Sequence, residues 1–136
     1  MNERQEIRKQ QAMEYARAME HLGIMKYKYA RIFSCIHFFP GSKQTELAEL
    51  LEIKQPIISY HIKKMRKNGL IKSYVIKHDR IGQPPKHYVV TDKGRSFVFN
   101  MFDQAMRDFS RHQDLIKHEC MRKHAIPEEH EQYLVE

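Results

Sequence analysis

The segment from residue 42 to residue 69 constrains the fold most, because it contains two short helical patterns separated by only three residues. Ser42 is the predicted N-cap of the first helix, since its hydroxyl can accept a hydrogen bond from a free amide of the first turn. The apolar positions of that helix end at Leu51, and Pro56 lies near the first turn of the next helix, where a missing N–H has no cost. Gly69 is the predicted C-terminal stop. The segment therefore predicts two helices joined by a tight turn.

The second helix of this pair has two chemically different faces. Ile58, Ile62 and Met65 recur at steps of four and three, so they form an apolar face that we expect to pack on the leucines of the preceding helix. A helix that enters the major groove needs this division, because it must be anchored from behind and must present donors and acceptors in front. A solvated amphipathic helix is the alternative. The opposite face carries Pro56, Ser59, Tyr60, Lys63 and Lys67.

The remaining segments predict a mainly α-helical chain with one small β-hairpin. Apolar residues recur at steps of three and four, the helical period, both before and after the central segment. Residues 70–77 and 86–91 read as strands that flank a turn-rich loop, which is typical of a hairpin. The predicted helices outside the central segment cover residues 2–22, 25–39 and about 91–123.

The positive charge of the chain is concentrated in one block. Residues 54–95 contain eleven lysine and arginine residues against two aspartates, a net charge of +9, whereas the whole chain carries +7. The rest of the chain is therefore slightly acidic. A one-sided block of this kind indicates a surface that binds a polyanion, and a solvated basic face is the alternative.

These patterns resemble the winged helix-turn-helix regulators of the MarR and ArsR families. The likeness lies in Thr45-Glu46-Leu47-Ala48, in Ser59, in Gly69-Leu70-Ile71 and in Val90-Thr91-Asp92-Lys93-Gly94-Arg95, which is similar to the Leu-Thr-x-x-Gly sequence before the last MarR helix. The resemblance covers roughly residues 25–123. It implies a winged helix-turn-helix DNA-binding domain at 25–91, dimerisation helices at 1–24 and 92–124, and an acidic tail at 125–136.

The resemblance also implies which side chains meet DNA. In such regulators the second helix of the pair enters the major groove. Gln55 or Ser59 would bond base edges, and Tyr60 would stack on a sugar or bond a phosphate. The lysines would mostly contact phosphates, which positions the protein without specifying sequence. The predicted contacts of this region are Ser42, Gln44, Gln55, Pro56, Ile57, Ser59, Tyr60, Lys63, Lys64 and Lys67.

The hairpin would be the wing, and it departs from the MarR pattern in one respect. MarR wings commonly carry Asp-x-Arg, whereas Asp79 and Arg80 are adjacent here. The segment Gly82-Gln83-Pro84-Pro85-Lys86-His87-Tyr88 instead resembles the Gly-Arg-Pro-Pro-Lys-x-Tyr wing of other winged-helix regulators, with glutamine where arginine is usual. Arg80 and Lys86 are therefore the predicted contacts of the wing with a groove or with phosphates. A stiff exposed turn is the alternative.

The first and last helices carry larger apolar stripes than a three-helix core needs. By the resemblance, these stripes pair with the same helices of a second subunit. A two-fold dimer would place two recognition helices about one DNA turn, ~34 Å, apart on an inverted repeat. Packing within one chain is the alternative. The predicted interface residues are Ala12, Tyr15, Met19, Phe97, Met101, Ala105, Phe109, His112 and Ile116.

The cysteines and the C-terminal histidines do not indicate a site. Two cysteines are too few for a disulfide framework, and no cations adjoin Cys35 to favour a thiolate, so we expect a packed thiol. Cys120 and His124 are four residues apart, but no Cys-x-x-Cys or paired-histidine motif accompanies them. We therefore predict neither a metal nor another cofactor. Many MarR relatives bind a small aromatic effector, which this sequence does not identify.

The sequence thus predicts a cytoplasmic transcription regulator, by the resemblance a homodimeric repressor, that binds double-stranded DNA at specific sequences. A plasmid or phage replication or partition protein that binds repeated sites would share the fold and is the alternative. An enzyme is disfavoured, because the chain has no Walker loop, no Gly-x-Ser-x-Gly and no clustered carboxylates. A protein-only interaction module leaves the basic block unexplained. No apolar run approaches the ~18 residues of a membrane span, and the polar N-terminus lacks the apolar stretch of a signal peptide.

Overall fold

The computed structural model describes residues 2–77, 81–122 and 127–133. The predicted class, mainly helical with one antiparallel hairpin, is confirmed. The chain divides into two compact units, Met1–Asp103 and Gln104–Glu136. The elements in chain order are α1 (Glu3–His21), α2 (Tyr27–Phe38), α3 (Gln44–Leu51), α4 (Gln55–Lys67), β1 (Ile71–Val75), β2 (Lys86–Val90), α5 (Asp92–Met121) and a short 3₁₀-helix (Glu128–Tyr133).

The packing of α1 on α2 buries a large part of the core of the first unit. Ala12, Ala16 and Met19 lie on one face of α1 and are at most 1% exposed. The two alanines allow a close approach of the helices, because interaxial distance depends on the side chains at the contact. Ser34 Oγ on α2 donates a 2.5 Å hydrogen bond to the carbonyl of Ala12. The predicted apolar stripe of α1 exists, and it is covered by the protein's own second helix.

The start of α3 differs from the sequence prediction. The N-cap is Lys43 and not Ser42. Ser42 Oγ donates to the carbonyl of Phe39 at 2.5 Å, and Glu46 Oε1 instead accepts from the Lys43 amide at 3.0 Å. The reason is that Ser42 forms a β-bridge with Tyr88, so the chain is still extended where the local preference for a cap would begin the helix.

The start of α5 explains the Thr-x-x-Gly sequence that the resemblance singled out. Thr91 Oγ1 accepts from the Gly94 amide at 3.0 Å and donates to the carbonyl of Gly69 at 2.6 Å. A Cβ on Gly94 would lie 2.2 Å from the carbonyl oxygen of Leu70. Only glycine therefore fits where α5 crosses the end of the helix-turn-helix segment.

The hairpin is shorter than the predicted strands. Ile71 pairs with Val90 and Val75 pairs with Lys86, so residues 76 and 77 lie beyond the last pair. The helix α5 ends at Met121, two residues before the predicted end. No helix within the described ranges has the length and hydropathy that crossing a bilayer requires.

Candidate nucleic-acid interface

The back of α4 is buried as the sequence predicted. Ile58, Ile62 and Met65 are at most 1% exposed and belong to the core together with Leu47 of α3. Full burial of one such aliphatic side chain contributes about 1.5–3 kcal/mol. The anchored back holds the opposite face of α4 toward solvent.

The turn that leads into α4 is tight. Glu52 closes α3 in the left-handed conformation with φ 55°, and the Ile53 amide donates to the carbonyl of Ala48 at 3.1 Å. Pro56 lies in the first turn of α4, where the amide that proline lacks has no helical partner. The helix therefore begins at Gln55, whose side chain is exposed.

The front of α4 is cationic and open to solvent. Tyr60 is 55% exposed, and the Nζ of Lys64 lies 5.0 Å from the centre of its ring, within the range of a cation–π contact. Lys63 and Lys67 are also exposed. Within the described ranges, none of these three lysines has an acidic partner. Ile57 and Ser59 lie beside this face and are half-buried.

A cleft of about 280 Å³ joins the start of α3, the start of α4 and the hairpin. It brings the predicted contacts Gln44, Gln55 and Lys86 to one place, although they are up to 42 positions apart in sequence. Its lining adds Thr45, which the sequence-based contact set omits. Two signals pointed to Thr45: it opens the Thr45-Glu46-Leu47-Ala48 motif, and it lies next to Gln44 in the first turn of α3, where free amides and cations suit an anion.

The hairpin contributes further cations. Lys72 and Lys77, like the predicted contact Lys86, are exposed. Arg80, the other predicted contact of this element, lies outside the described residues. The cationic side chains of α4 and of the hairpin therefore belong to one unit. Lys86 also lines the cleft that contains Gln55.

Two of the predicted contacts are already bonded within the chain. The amide nitrogen Nε2 of Gln44 donates to the phenol oxygen of Tyr88 at 3.0 Å, and Tyr88 is only 2% exposed. The hydroxyl of Ser42 donates to Phe39, as described above. Both side chains are half-buried. The Gln44 bond links α3 to the hairpin, and the Ser42 bond closes the turn before α3. This use of both donors competes with the predicted contact with DNA.

His61 lies between the back and the front of α4. Its ring makes edge contacts with Tyr29 and Tyr60, with centroid distances of 5.8 Å and 5.3 Å. Burial lowers the pKa of His61, and the charges of Lys64 and Lys28 lower that pKa further. The ring is therefore neutral at physiological pH and adds no charge to the cationic front.

The sequence family described as bacterial regulatory protein, ArsR family, matches residues 43–73. This range runs from the N-cap of α3 to the middle of β1. No curated protein matches the chain.

Solved structures of MarR-type regulators share the architecture. MepR, a transcription regulator of the Staphylococcus aureus multidrug efflux pump MepA, matches with a TM-score of 0.50 and 20% identity over 95% of this chain and 84% of that chain. A MepR point mutant from S. aureus bound to an oligodeoxyribonucleotide gives a TM-score of 0.52 and 19% identity over 91% and 83%. A MarR-family transcription regulator gives a TM-score of 0.51 and 17% identity over 81% of this chain and 70% of that chain.

The chain is a winged helix-turn-helix protein. By its position in this fold, helix α4 is called the recognition helix below, and the hairpin of β1 and β2 is called the wing. The predicted resemblance to MarR regulators, with ArsR-like features in the helix-turn-helix, is confirmed. The matched family and the fold together support a DNA-binding transcription regulator and not an enzyme.

The residues predicted for a dimer interface fall into two groups in this winged helix-turn-helix chain. Ala12 and Met19 are fully buried against the chain's own residues, so the structure corrects their assignment from an interface to the core. Tyr15 is half-buried and stacks on His37, with ring centres 5.3 Å apart. All the others lie on α5: Phe97, Met101, Phe109, His112 and Ile116 are exposed, and Ala105 is half-buried.

A second cleft, of about 460 Å³, opens between the turn after α1, the C-terminal end of α4 and the first turns of α5. Its walls include the apolar side chains of Ile24, Met25 and Phe97. Lys26 and Lys93 also line it. The combination of apolar walls and two cations suits a small amphipathic anion.

The two cysteines lie in opposite environments. Cys35 is fully buried, and this burial raises the pKa of its thiol to about 12, with a smaller lowering effect from Lys9. The expected packed thiol is thus confirmed. Cys120 on α5 is exposed. Within the described ranges, no three histidine, cysteine or acidic side chains converge as metal ligands.

Proposed function

We propose that the protein is a sequence-specific transcription regulator that binds double-stranded DNA as a homodimer and represses at an inverted repeat. The recognition helix carries this proposal, because its buried back leaves Gln55, Tyr60 and Lys63 facing solvent. The major groove of B-DNA is about 12 Å wide and admits one α-helix. A MepR variant of the same fold has been solved on an oligodeoxyribonucleotide. We expect the protein to work in the cytoplasm, in contact with the genome.

The side chains of the recognition helix divide into two roles. Gln55 and Ser59 lie near its N-terminal end and read base edges, since amide and hydroxyl groups offer both a donor and an acceptor. Tyr60 lies against sugar and phosphate. Its phenol is held in place by the cation–π contact with Lys64. Lys63, Lys64 and Lys67 neutralise phosphates, and Pro56 and Ile57 pack against the groove.

In this proposal the tip of the wing, residues 78–87, lies along the minor groove or the adjacent DNA backbone. Lys86 supports this placement, because it is exposed and lines the same cleft as Gln55. Arg80 is the proposed groove contact of the loop. Ser42 and Gln44 approach the sugar-phosphate backbone of the DNA from the start of α3, where Lys43 and Thr45 lie beside them.

The proposed homodimer forms through α5. Phe97 and Met101 are 39% and 38% exposed, and Phe109 and Ile116 are both 60% exposed. Soluble monomers rarely leave so many large apolar side chains along one element in water. A second copy of the same helix would cover them, with Ala105 and His112 between them. A closed two-fold dimer then places two recognition helices about 34 Å apart.

The test combines footprinting with sedimentation. Purified protein is footprinted on DNA from the neighbourhood of its own gene, and its mass is measured by analytical ultracentrifugation at the same salt concentration. We expect a dimer, and two protected half-sites about 10 base pairs apart. A protein that remains monomeric, or that protects no DNA at about 50 mM salt, contradicts the proposal, because phosphate contacts are strongest at low salt.

A replication or partition protein of a plasmid or phage is the second candidate, because the same interface serves it equally well. The number of sites separates the two functions. A regulator protects one inverted repeat at a promoter, whereas a replication or partition protein fills a series of repeats with steep cooperativity. The footprint described above therefore distinguishes them without a further experiment.

The cleft beside Lys26 and Lys93 is the proposed effector site. An aromatic carboxylate would place its ring against Met25 and Phe97 and its charge near the lysines. Benzoate and hydroxybenzoates are suitable probes. We expect them to release the protein from DNA, and to do so less effectively for Lys93→Ala. Release that is equal for the variant and the wild type would place the effector elsewhere.

A further inference from the structure

Two backbone hydrogen bonds join strand β2 of the wing to the residues just before α3. The Gly41 amide donates to the carbonyl of Tyr88 at 2.8 Å, and the Tyr88 amide donates to the carbonyl of Ser42 at 3.0 Å. This pair of bonds forms an isolated antiparallel β-bridge between Ser42, just before α3, and Tyr88 of β2. A two-stranded hairpin alone is marginal in water, so these bonds and any side chains that reinforce them decide where the wing lies.

One reinforcing side chain is His87. Its Nδ1 lies 2.8 Å from the carbonyl oxygen of Gly41. Because a carbonyl oxygen only accepts, Nδ1 carries the hydrogen of this bond. The ring stacks on Tyr74 of β1, with centroids 5.3 Å apart and planes 19° apart. The same Tyr74 hydroxyl would be 2.9 Å from a Cβ on Gly41, which has φ 86°. The histidine therefore ties both strands of the wing to the turn before α3.

A second reinforcing side chain is Gln44, which acts from the other face of β2. Neighbouring residues of a strand point to opposite faces, so Tyr88 leaves β2 on the side away from His87. Its phenol is buried and accepts the 3.0 Å hydrogen bond from Gln44 Nε2. Lys86 shares the Tyr88 face and lines the cleft with Gln55. The strand that carries Lys86 is thus held from both faces.

We propose that His87 and Gln44 are positioning residues that fix the wing relative to the recognition helix, so that Lys86 and Gln55 engage the same stretch of DNA. This inference rests on the proposed function. It adds His87 to it and gives Gln44 a structural role that does not require contact with DNA. Through the bond to Gly41, the His87 ring sets the direction of the strand on which Lys86 lies. Through the bond to Tyr88, Gln44 ties the first turn of α3 to that strand.

The test compares His87→Ala with His87→Asn. The amide nitrogen of asparagine occupies nearly the position of Nδ1 and can donate to Gly41, whereas alanine cannot. One hydrogen bond contributes about 0.5–1.5 kcal/mol, so we expect His87→Ala to weaken DNA binding about three- to tenfold. His87→Asn should bind within about twofold of the wild type. His21→Ala, at an exposed histidine at the end of α1, is the matched control and should bind like the wild type.

A double-mutant cycle separates positioning from general destabilisation. If His87 acts through Lys86, then His87→Ala should cost much less affinity in a Lys86→Ala background than in the wild type. Gln44→Ala should behave in the same way. Losses that add fully, or a His87→Asn variant as weak as His87→Ala, overturn the inference while wild-type binding upholds the proposed function. If the wild-type protein does not bind DNA, both this inference and the proposed function are overturned.

Discussion

Helices α1 and α5 look alike in sequence, since each repeats apolar residues at helical spacing, but they bury these residues differently. On α1, Ala12 and Met19 are covered completely by the protein's own chain. On α5, Phe109 and Ile116 remain 60% exposed. The contrast teaches that periodicity predicts the existence of an apolar face and says nothing about which molecule covers it. We interpret the buried stripe as core and the exposed stripe as the surface for a second subunit.

The largest expected effect tests the buried side of this comparison with two methionines. Met19→Ala should lower the free energy of unfolding by about 2–5 kcal/mol, because the truncated side chain leaves a cavity in a packed site. Met106→Ala on α5, where the side chain is 58% exposed, should change the stability of the monomer by no more than about 0.5 kcal/mol. Urea unfolding at low protein concentration measures both. Equal losses would show that α1 and α5 do not differ as described.

The next effect concerns the exposed side. Phe109→Asp should weaken self-association by at least about 2 kcal/mol, or roughly 30-fold, since it buries a charge at the proposed interface. Sedimentation equilibrium would show this as a shift to monomer, with the helical circular dichroism of the monomer unchanged. Glu119→Asp, an exposed and conservative change on the same helix, is the control. A dimer that tolerates Phe109→Asp does not use this part of α5.

The two cysteines give a third test of the same contrast. The folded-state pKa of Cys35 is raised to about 12, and the thiol of an unfolded chain ionises near about 8.5. The folded state therefore retains the proton between these two pKa values. The free energy of unfolding has its full value below about pH 8.5 and falls as pH rises toward 12, by at most about 1.4 kcal/mol per pH unit.

Measurement of this third prediction uses unfolding at pH 7.5 and pH 9.5, with Cys35→Ala as the reference that lacks the thiol. The difference in the free energy of unfolding between the wild type and Cys35→Ala should be smaller at the higher pH, because only the wild type has the thiol. Iodoacetamide should meanwhile modify Cys120 in the folded protein and leave Cys35 unmodified. Rapid modification of Cys35 without unfolding would mean that the core around Cys35 is not closed to solvent.

The smallest effect extends the comparison to the exposed face of the recognition helix, which is cationic where α5 is apolar. Lys63→Ala should reduce the slope of log Kd against log salt by about one, because one phosphate contact is lost. It should weaken binding to all DNA sequences by the same factor. Lys117→Ala on α5 is the matched control, since this lysine is exposed and is not one of the proposed DNA contacts. Gln55→Ala should instead reduce the preference between sites. An unchanged slope for Lys63→Ala contradicts the assigned phosphate contact.

Local pattern and long-range contact contributed differently to the candidate site. The buried back of α4 was predictable, because Ile58, Ile62 and Met65 follow the helical period within a single element. The cap of α3 was not, because Ser42 pairs with Tyr88, which is 46 residues away and invisible to any local preference. The bond between Gln44 and Tyr88 escaped prediction for the same reason. Thr45 was missed because the cleft it lines is formed only when the start of α3 meets the start of α4 and the hairpin.

The sequence by itself determined the order and the kind of the helices and strands of this protein, and it determined which helix has a cationic front. These depend on spacing and on backbone chemistry, which the chain carries locally. Only the tertiary structure decided that the apolar face of α1 packs on α2, that α5 keeps apolar residues exposed, and that His87 and Gln44 bond the wing to the residues around the start of α3. The physical reason is that burial and hydrogen bonding between distant segments depend on which surfaces meet in space.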